Sequence, residues 1–266
     1  MVCDLTQAQA TRRALQRIAP DVVIHTQAMS DVDRCEREPE EAQRMNVHTV
    51  DHLCEALRER AIPMFLLSTD YVFDGRKDSP YDETDTPHPI SVYGHTKLAG
   101  ERIVLRMPQT FVIRPSTLFG PARDNFCDTI VRRARQHEPV EAFIDQATSP
   151  TYTEDLAEGI HGLMDAIAQA PHRIWPRVYH VANAGGCRRV EFAHRVVELL
   201  GASASLVKPI RMEEQARPAK RPAYSVLRSQ HVAGLIGKTL RPWDDALQAY
   251  LRQRYAVWLP QAELSR

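Results

Sequence analysis

Glycine is missing from the start of this chain. None of its eleven glycines precedes Gly75, so the segment before it holds no turn of the kind that lets successive backbone N–H groups close around a phosphate. Cysteine gives no framework. Cys3, Cys35, Cys54, Cys127 and Cys187 are odd in number, scattered, and never form a C-x-x-C pair, which argues against a disulfide scaffold and a thiolate zinc site and points to a reducing cytoplasm. Charge of one sign is absent too. The 34 Lys and Arg balance 34 Asp and Glu with no basic run, leaving no electrostatic footprint for nucleic acid or an anionic membrane surface. No stretch of about eighteen apolar residues occurs. MVCDLTQAQATRR, at the start, has neither the apolar segment nor the small-residue cleavage site of an export signal. The histidines contain no H-E-x-x-H, and no metal is expected. What remains is a globular chain of 266 residues, 43% hydrophobic, able to bury a sizeable core and open to small neutral or anionic ligands.

Helical and strand signals alternate as far as about residue 145. TQAQATRRALQRIA reads as an amphipathic helix with Thr6 as N-cap and Pro20 as stop, before a short apolar strand, VVIH (22–25). A second helix is expected from Pro39 to Arg60, then a fully buried strand, PMFLLS (63–68). Residues 70–90, rich in Pro and Asp and holding Gly75, form a long loop of the sort that commonly binds something. A helix over 91–106, a strand TFVIRP (110–115) and a helix near 125–136 follow. This alternation predicts a parallel α/β sheet. From 146 to 266 a smaller lobe is expected, interleaved with a 1–145 domain. It holds a helix ending near 168, the strand VYHVA (178–182), a helix over 190–200 and a last helix from Trp243. Trp175, Trp243 and Trp258 read as packing residues.

SVYGHTKLAGE (91–101) carries the chemistry. Tyr93 and Lys97 are four apart in the first turns of a helix, hence on one face. A phenol of pKa about 10 is a poor acid at neutral pH unless its anion is stabilised, and an ammonium one turn away does that. A hydroxyl for the substrate oxygen is supplied by Ser68 and Thr69 at the carboxyl end of a buried strand, the edge at which ligands of doubly wound sheets bind.

The ordered segments PDVVIHTQAMSDVDRCE, STDYVFDG, SPYDETDTPHPISVYGHTKLAGE, DQATSPTYTEDLA and KRPAYSVL resemble the extended short-chain dehydrogenase/reductases, most closely the dTDP-4-dehydrorhamnose reductase family, from residue 4 to about 250. The resemblance implies a Rossmann-like doubly wound parallel sheet with a smaller α+β substrate-binding lobe, NADPH or NADH as cofactor, a nucleotide-sugar substrate and a possible homodimer. It implies Thr69, Tyr93 and Lys97 as the catalytic set: Tyr93 protonating the oxygen of a sugar C4 ketone, Thr69 polarising it, and Lys97 lowering the tyrosine pKa and holding the nicotinamide ribose. Asp4, Leu5, Ala28 and Ser68 join Tyr93 and Lys97 on the cofactor side, Asp4 as the acid facing the adenine. Asp70, Tyr71, Asn125, Gln146 and Arg221 fall on the substrate side, the Arg221 fork suiting a pyrophosphate.

Departures from the family pattern shape the remaining expectations. The glycine-rich turn belongs after a first strand that this sequence does not contain, so the sheet is expected to be N-terminally incomplete, with VVIH at an exposed apolar edge. A truncated chain or a start called too far downstream is the expected cause, with weak cofactor binding as its result. Gln27, Met29 and Thr117 replace the residues usual beside cofactor and sugar. Asp70-Tyr71 stands where the related dehydratases carry Asp-Glu, which disfavours dehydration. A non-catalytic regulatory subunit of the same fold and a nucleotide-sugar epimerase are the alternatives.

Overall fold

The computed structural model describes residues 2–58 and 62–255. Helix α1 (Ala8–Ile18) buries Thr11 and Leu15 along one stripe. Its N-cap position is Gln7 rather than Thr6, because the Asp4 carboxylate takes both the Thr6 N–H (2.9 Å) and its hydroxyl (2.7 Å). Ala19, at φ 46°, closes the helix ahead of Pro20 and β1 (Val23–His25). Next comes α2 (Val32–Arg37), capped by the Asp31 carboxylate on Arg34 N–H, an element with too few apolar positions for periodicity to reveal. The helix expected from Pro39 is broken into α3 (Pro39–Gln43), a π turn over Arg44–His48, and α4 (Thr49–Leu57); its expected end at Arg60 lies outside the described residues. The wider turn presents Asn46, whose amide bonds Met29 N–H (2.7 Å), Met29 O (3.2 Å) and the Thr96 hydroxyl (3.0 Å).

Strand β2 (Met64–Leu67) leads through the 70–90 loop to α5 (Val92–Val104), started by the Ser91 hydroxyl accepting Gly94 N–H. Then follow β3 (Thr110–Arg114), β4 (Leu118–Phe119), α6 (Phe126–Arg135), β5 (Val140–Phe143), β6 (Ala147–Thr148), β7 (Thr151–Tyr152) and α7 (Thr153–Gln169). The chain continues through β8 (Val178–His180), β9 (Cys187–Arg188), α8 (Arg189–Leu199), β10 (Val207–Ile210), α9 (Gln230–Ile236) and α10 (Trp243–Tyr255).

Four strands form one parallel sheet in the order β1-β2-β3-β8. Alternate side chains feed opposite faces. Phe65, Phe111, Ile113 and Tyr179 pack with Leu156, Ile160 and Leu163 of α7 and Val232 of α9. Met64, Leu66 and Val112 pack on the other face with Leu15, Val50, Leu53, Leu57 and Val104 of α1, α4 and α5. Burial of each such side chain contributes about 1.5–3 kcal/mol, which accounts for strands that are apolar on both sides. Among the described residues β1 pairs only with β2, and Ile24 on it is 45% exposed.

A second core unites α6, α8 and α10 with the parallel pair β5–β10 through Ile130, Val140, Phe192, Val196, Leu247 and Tyr250. The boundary expected at residue 145 cuts across both cores. Helix α7 and strand β8, after it, serve the sheet, whereas α6 and β5, before it, serve the second core. Trp175 packs beside the first core and Trp243 beside the second, while Trp258 lies outside the described residues.

Gly94 sets the seat of α5. A Cβ there would lie 2.3 Å from the Tyr71 carbonyl oxygen, so Gly94→Ala is expected to cost about 1–3 kcal/mol, read as a lowered thermal midpoint. Two buried histidines end the strands: burial first, and then the nearby Lys97 or Arg114, pushes His25 down to about 4 and His180 down to about 3. Both folded values lie below the ordinary 6.5, so the unfolded chain binds more protons as pH falls and stability is lost across that window. Unfolding free energy measured between pH 6.5 and pH 4 should therefore fall with acidity, and the slope should flatten in His25→Asn/His180→Asn.

Candidate active site

The carboxyl ends of β1, β2 and β3 and the first turns of α5 open into a cavity of about 780 Å³, closed opposite by the 117–126 loop, the start of α8 and the 210–221 segment. That volume lies within the usual range for small-molecule sites. Ten of the sequence candidates line it: Ala28, Ser68, Thr69, Asp70, Tyr71, Tyr93, Lys97, Asn125, Gln146 and Arg221. Asp4 and Leu5 do not. Asp4 is exposed and engaged with Thr6, and Leu5 packs against the α1–α4 core, its carbonyl near His52 Nδ1. A second cavity, of about 660 Å³, lies between Ala182–Gly186 and α9 and holds none of these groups. Among the described residues no group of three or more His, Cys, Asp or Glu is arranged to hold a metal ion.

Thr69 leaves β2 in an extended conformation, φ −160°, and its hydroxyl accepts Tyr71 N–H at 3.1 Å, starting a 3-10 turn over Asp70–Val72. The same hydroxyl donates to the Asp70 carboxylate at 3.1 Å and interacts with the Tyr93 phenol. Thr69, which begins one loop wall, and Tyr93, which begins α5, are thus brought together only by the fold.

The acid pair behaves differently from the sequence expectation. Burial raises the Tyr93 phenol well above its ordinary value, with the Asp70 carboxylate acting in the same direction and Thr69 against it. Lys97 does not lower it: its ammonium donates to the Leu67 carbonyl at 2.6 Å. Lys97 itself, 4% exposed, is pushed down to about 8 by burial while Glu101 pulls the other way. A buried ammonium near a phenol is placed to stabilise a phenolate as it forms, which is a transition-state effect rather than a resting one.

On the substrate side several polar groups already have partners. Asp70, 3% exposed, accepts the Ser116 (2.8 Å) and Ser225 (2.6 Å) hydroxyls, and burial raises its pKa; it braces three segments of the wall. Asn125 is the N-cap of α6. Its Oδ1 accepts Cys127 and Asp128 N–H, and its Nδ2 reaches Gly120 O, Asp128 and the Tyr250 hydroxyl. Arg221 does not offer a free fork, because Asp33 takes it bidentately at 3.0 and 2.7 Å. Gln146 and Tyr71 bond each other at 3.4 Å, and the Tyr71 ring meets Tyr93 edge-on at 5.9 Å. The Ser68 hydroxyl turns away to Glu101.

Two cavity residues escape a reading of the sequence. Arg189 is held over the Phe126 ring at 4.0 Å and has no carboxylate or hydrogen-bond partner for its guanidinium among the described residues. Arg217 lies over Phe143 at 4.8 Å and bonds Gln215. A lone arginine at the first position of a helix carries no motif; its signal is the missing counter-charge, which only the packing reveals. Thr117, also in the lining, has φ 31°, a strained conformation for a β-branched residue, of the kind that clusters at functional sites.

The cavity's β1–β2–α5 wall suits the nicotinamide end of a dinucleotide, with small Ala28 and the Tyr93 and Lys97 polar ends. No glycine-rich turn for the pyrophosphate is among the residues present.

Comparison with known proteins shows the family. A dTDP-4-dehydrorhamnose reductase of Mycolicibacterium smegmatis is 36% identical over 249 residues, 92% of this chain and 74% of that protein. One of Streptomyces griseus is 38% identical over 250 residues, 92% of this chain and 80% of that protein. The crystal structure of a dTDP-4-dehydrorhamnose reductase from Bacillus anthracis in complex with NADP superposes with a TM-score of 0.86 at 31% identity, covering 94% of this chain and 87% of that one. With a family sequence model, RmlD substrate binding domain, matching residues 2–256, the chain belongs to that family.

Proposed function

We propose that this protein is an NAD(P)H-dependent reductase of the C4 ketone of a nucleotide-linked deoxysugar, of the dTDP-4-dehydrorhamnose type. The observation that carries the reading is the meeting of the Thr69 hydroxyl, the Tyr93 phenol and the buried Lys97 ammonium at the end of β2 within one cavity. Hydride for the carbonyl carbon is what a bound nicotinamide supplies. The chain's own residues do the rest. The single Thr69 hydroxyl hydrogen, held by Asp70 in the free protein, turns to the ketone oxygen and polarises it, and Tyr93 transfers its phenolic proton to that oxygen as negative charge builds there. Lys97, cationic below about 8, compensates the phenolate left behind and holds the ribose hydroxyls. Tyr71 and Gln146 form the wall against the sugar.

Arg189 meets the nucleotide's phosphate charge. It is a half-buried cavity guanidinium with neither a counter-anion nor a hydrogen-bond partner among the described residues, and such a cation gains strongly from an entering diphosphate. Asp33 holds Arg221 in place as part of the wall. Reduction is favoured over dehydration because Asp70-Tyr71 leaves no second carboxylate beside Thr69.

The test is NADPH oxidation with dTDP-4-dehydrorhamnose. Turnover is expected; its absence, together with undetectable binding of NADPH, would sink the reading. Tyr93→Phe should lower kcat by a factor of ~10² or more, as expected on losing a general acid. Arg189→Leu should raise KM about tenfold or more with kcat little changed, the pattern of lost uniform binding.

A further inference from the structure

Three buried side chains beside the reacting groups, of which only Ser68 lines the cavity, bear on the reaction by holding one another. Ser68 Oγ donates to Glu101 Oε1 at 2.5 Å. Arg114, the last residue of β3, closes on the same carboxylate with Nε at 3.0 Å from Oε1 and Nη2 at 2.6 Å from Oε2. The Arg114 and Glu101 side chains are 3% and 1% exposed. Glu101 stands on α5 one turn beyond Lys97, which in turn donates to the carbonyl of Leu67.

Two consecutive residues at the end of β2, Leu67 and Ser68, are therefore gripped by two residues of α5, Lys97 and Glu101, and the next residue along β2 is Thr69. The gap between the Thr69 hydroxyl and the Tyr93 phenol is set by this double grip, since one group follows β2 and the other opens α5.

We propose that Glu101, locked by Arg114 and Ser68, is a positioning residue of the reductase: it fixes α5 against the end of β2 and keeps Lys97 in its cationic form. The proposal rests on the reductase reading given above. The charges facing Lys97 single out Glu101. Cys35 of α2 has its thiol pushed up to about 11 by burial, and His25 of β1 is pushed down to about 4, so both are neutral at the pH of catalysis. Tyr93 is a neutral phenol, and the Asp70 carboxylate is tied to three hydroxyls. Glu101 is the remaining anion, and its field opposes the desolvation that pulls Lys97 down. Arg114 holds that carboxylate still, and a misplacement of about 1 Å at a reacting pair can cost ~10²-fold in rate.

Removing one member of a buried ion pair leaves the other charge uncompensated, whereas replacing both with apolar groups is often tolerated. Glu101→Leu/Arg114→Met is therefore the informative variant, with Ser68→Ala as a second that leaves the ion pair intact. In the double variant kcat should fall about tenfold or more with KM little changed, and the alkaline limb of kcat/KM should move to lower pH, a shift that a purely structural role would not produce. Ser68→Ala should lower kcat several-fold at unchanged KM and leave the limb in place. An independent readout is the side-chain 15N NMR titration of Lys97 in lysine-labelled protein, assigned with Lys97→Arg; its midpoint, near 8 in the parent chain, should drop in the double variant. An unmoved titration and limb in a folded double variant would overturn the proposal. Wild-type kcat in Ser68→Ala would overturn it even if the double variant fails to fold. If the parent chain shows no turnover but the Lys97 titration still moves, the reductase reading fails while the control of Lys97 by Glu101 stands.

Discussion

The attachment of α5 to the carboxyl end of β2 is the constraint on which this site depends. It consists of the Lys97 ammonium on the Leu67 carbonyl and the Ser68 hydroxyl on Glu101, with Arg114 of β3 behind. Each bond is modest in isolation, but those to Glu101 are buried and that of Lys97 partly so, and an unmade buried bond costs about 1–3 kcal/mol or more. The helix cannot slide on the strand without breaking several at once. The loop that begins at Thr69 and the helix that begins at Ser91 thereby keep their hydroxyls in register, and the rest of the cavity is arranged around that fixed pair.

The second core completes what the sheet begins. Segments 117–126 and 210–221 come from chain that packs with α6, α8, α10 and the β5–β10 pair, yet they close over residues from β1, β2 and α5. Two contacts across the cavity are prominent. Asp33 of α2 holds Arg221 and the Ala219 N–H, and Asp70 at the end of β2 collects Ser116 and Ser225. Both are carboxylates on the sheet side; Asp33 gathers its donors from the 210–221 segment, and Asp70 takes one from Ser116, just past the end of β3, and one from Ser225. This explains why Arg221 and Asp70, which the family resemblance places on substrate, are engaged in building the wall.

Charge in the cavity follows from the same arrangement. With Arg221 satisfied by Asp33 and Arg217 resting on Gln215 and Phe143, Arg189 on Phe126 is a half-buried cation with no counter-charge among the described residues. A cavity that holds the reacting hydroxyls together with an uncompensated guanidinium suits a sugar carried on a diphosphate better than a neutral sugar alone.

Several features were decided by the sequence itself, because they depend on local spacing. Two-sided apolar runs such as MFLL and TFVIR had to be central parallel strands. The four-residue step from Tyr93 to Lys97 had to put both side chains on one helical face, and Ser91 before a glycine-containing turn had to start that helix. The strand VVIH could be read, as could its place at the edge of the described sheet. Other features belong to the tertiary structure because they depend on which atom fills which bond. Thr6 lost its capping role to a carboxylate two residues away, Asn125 spent its amide on α6, and the Ser68 hydroxyl turned to Glu101 rather than to the cavity. The pKa order of Tyr93 and Lys97 likewise follows from burial, a quantity that one-dimensional spacing does not contain. Arg189 became visible only through the absence of a counter-charge around it, since the same residue on an exposed helix would be an ordinary solvated cation.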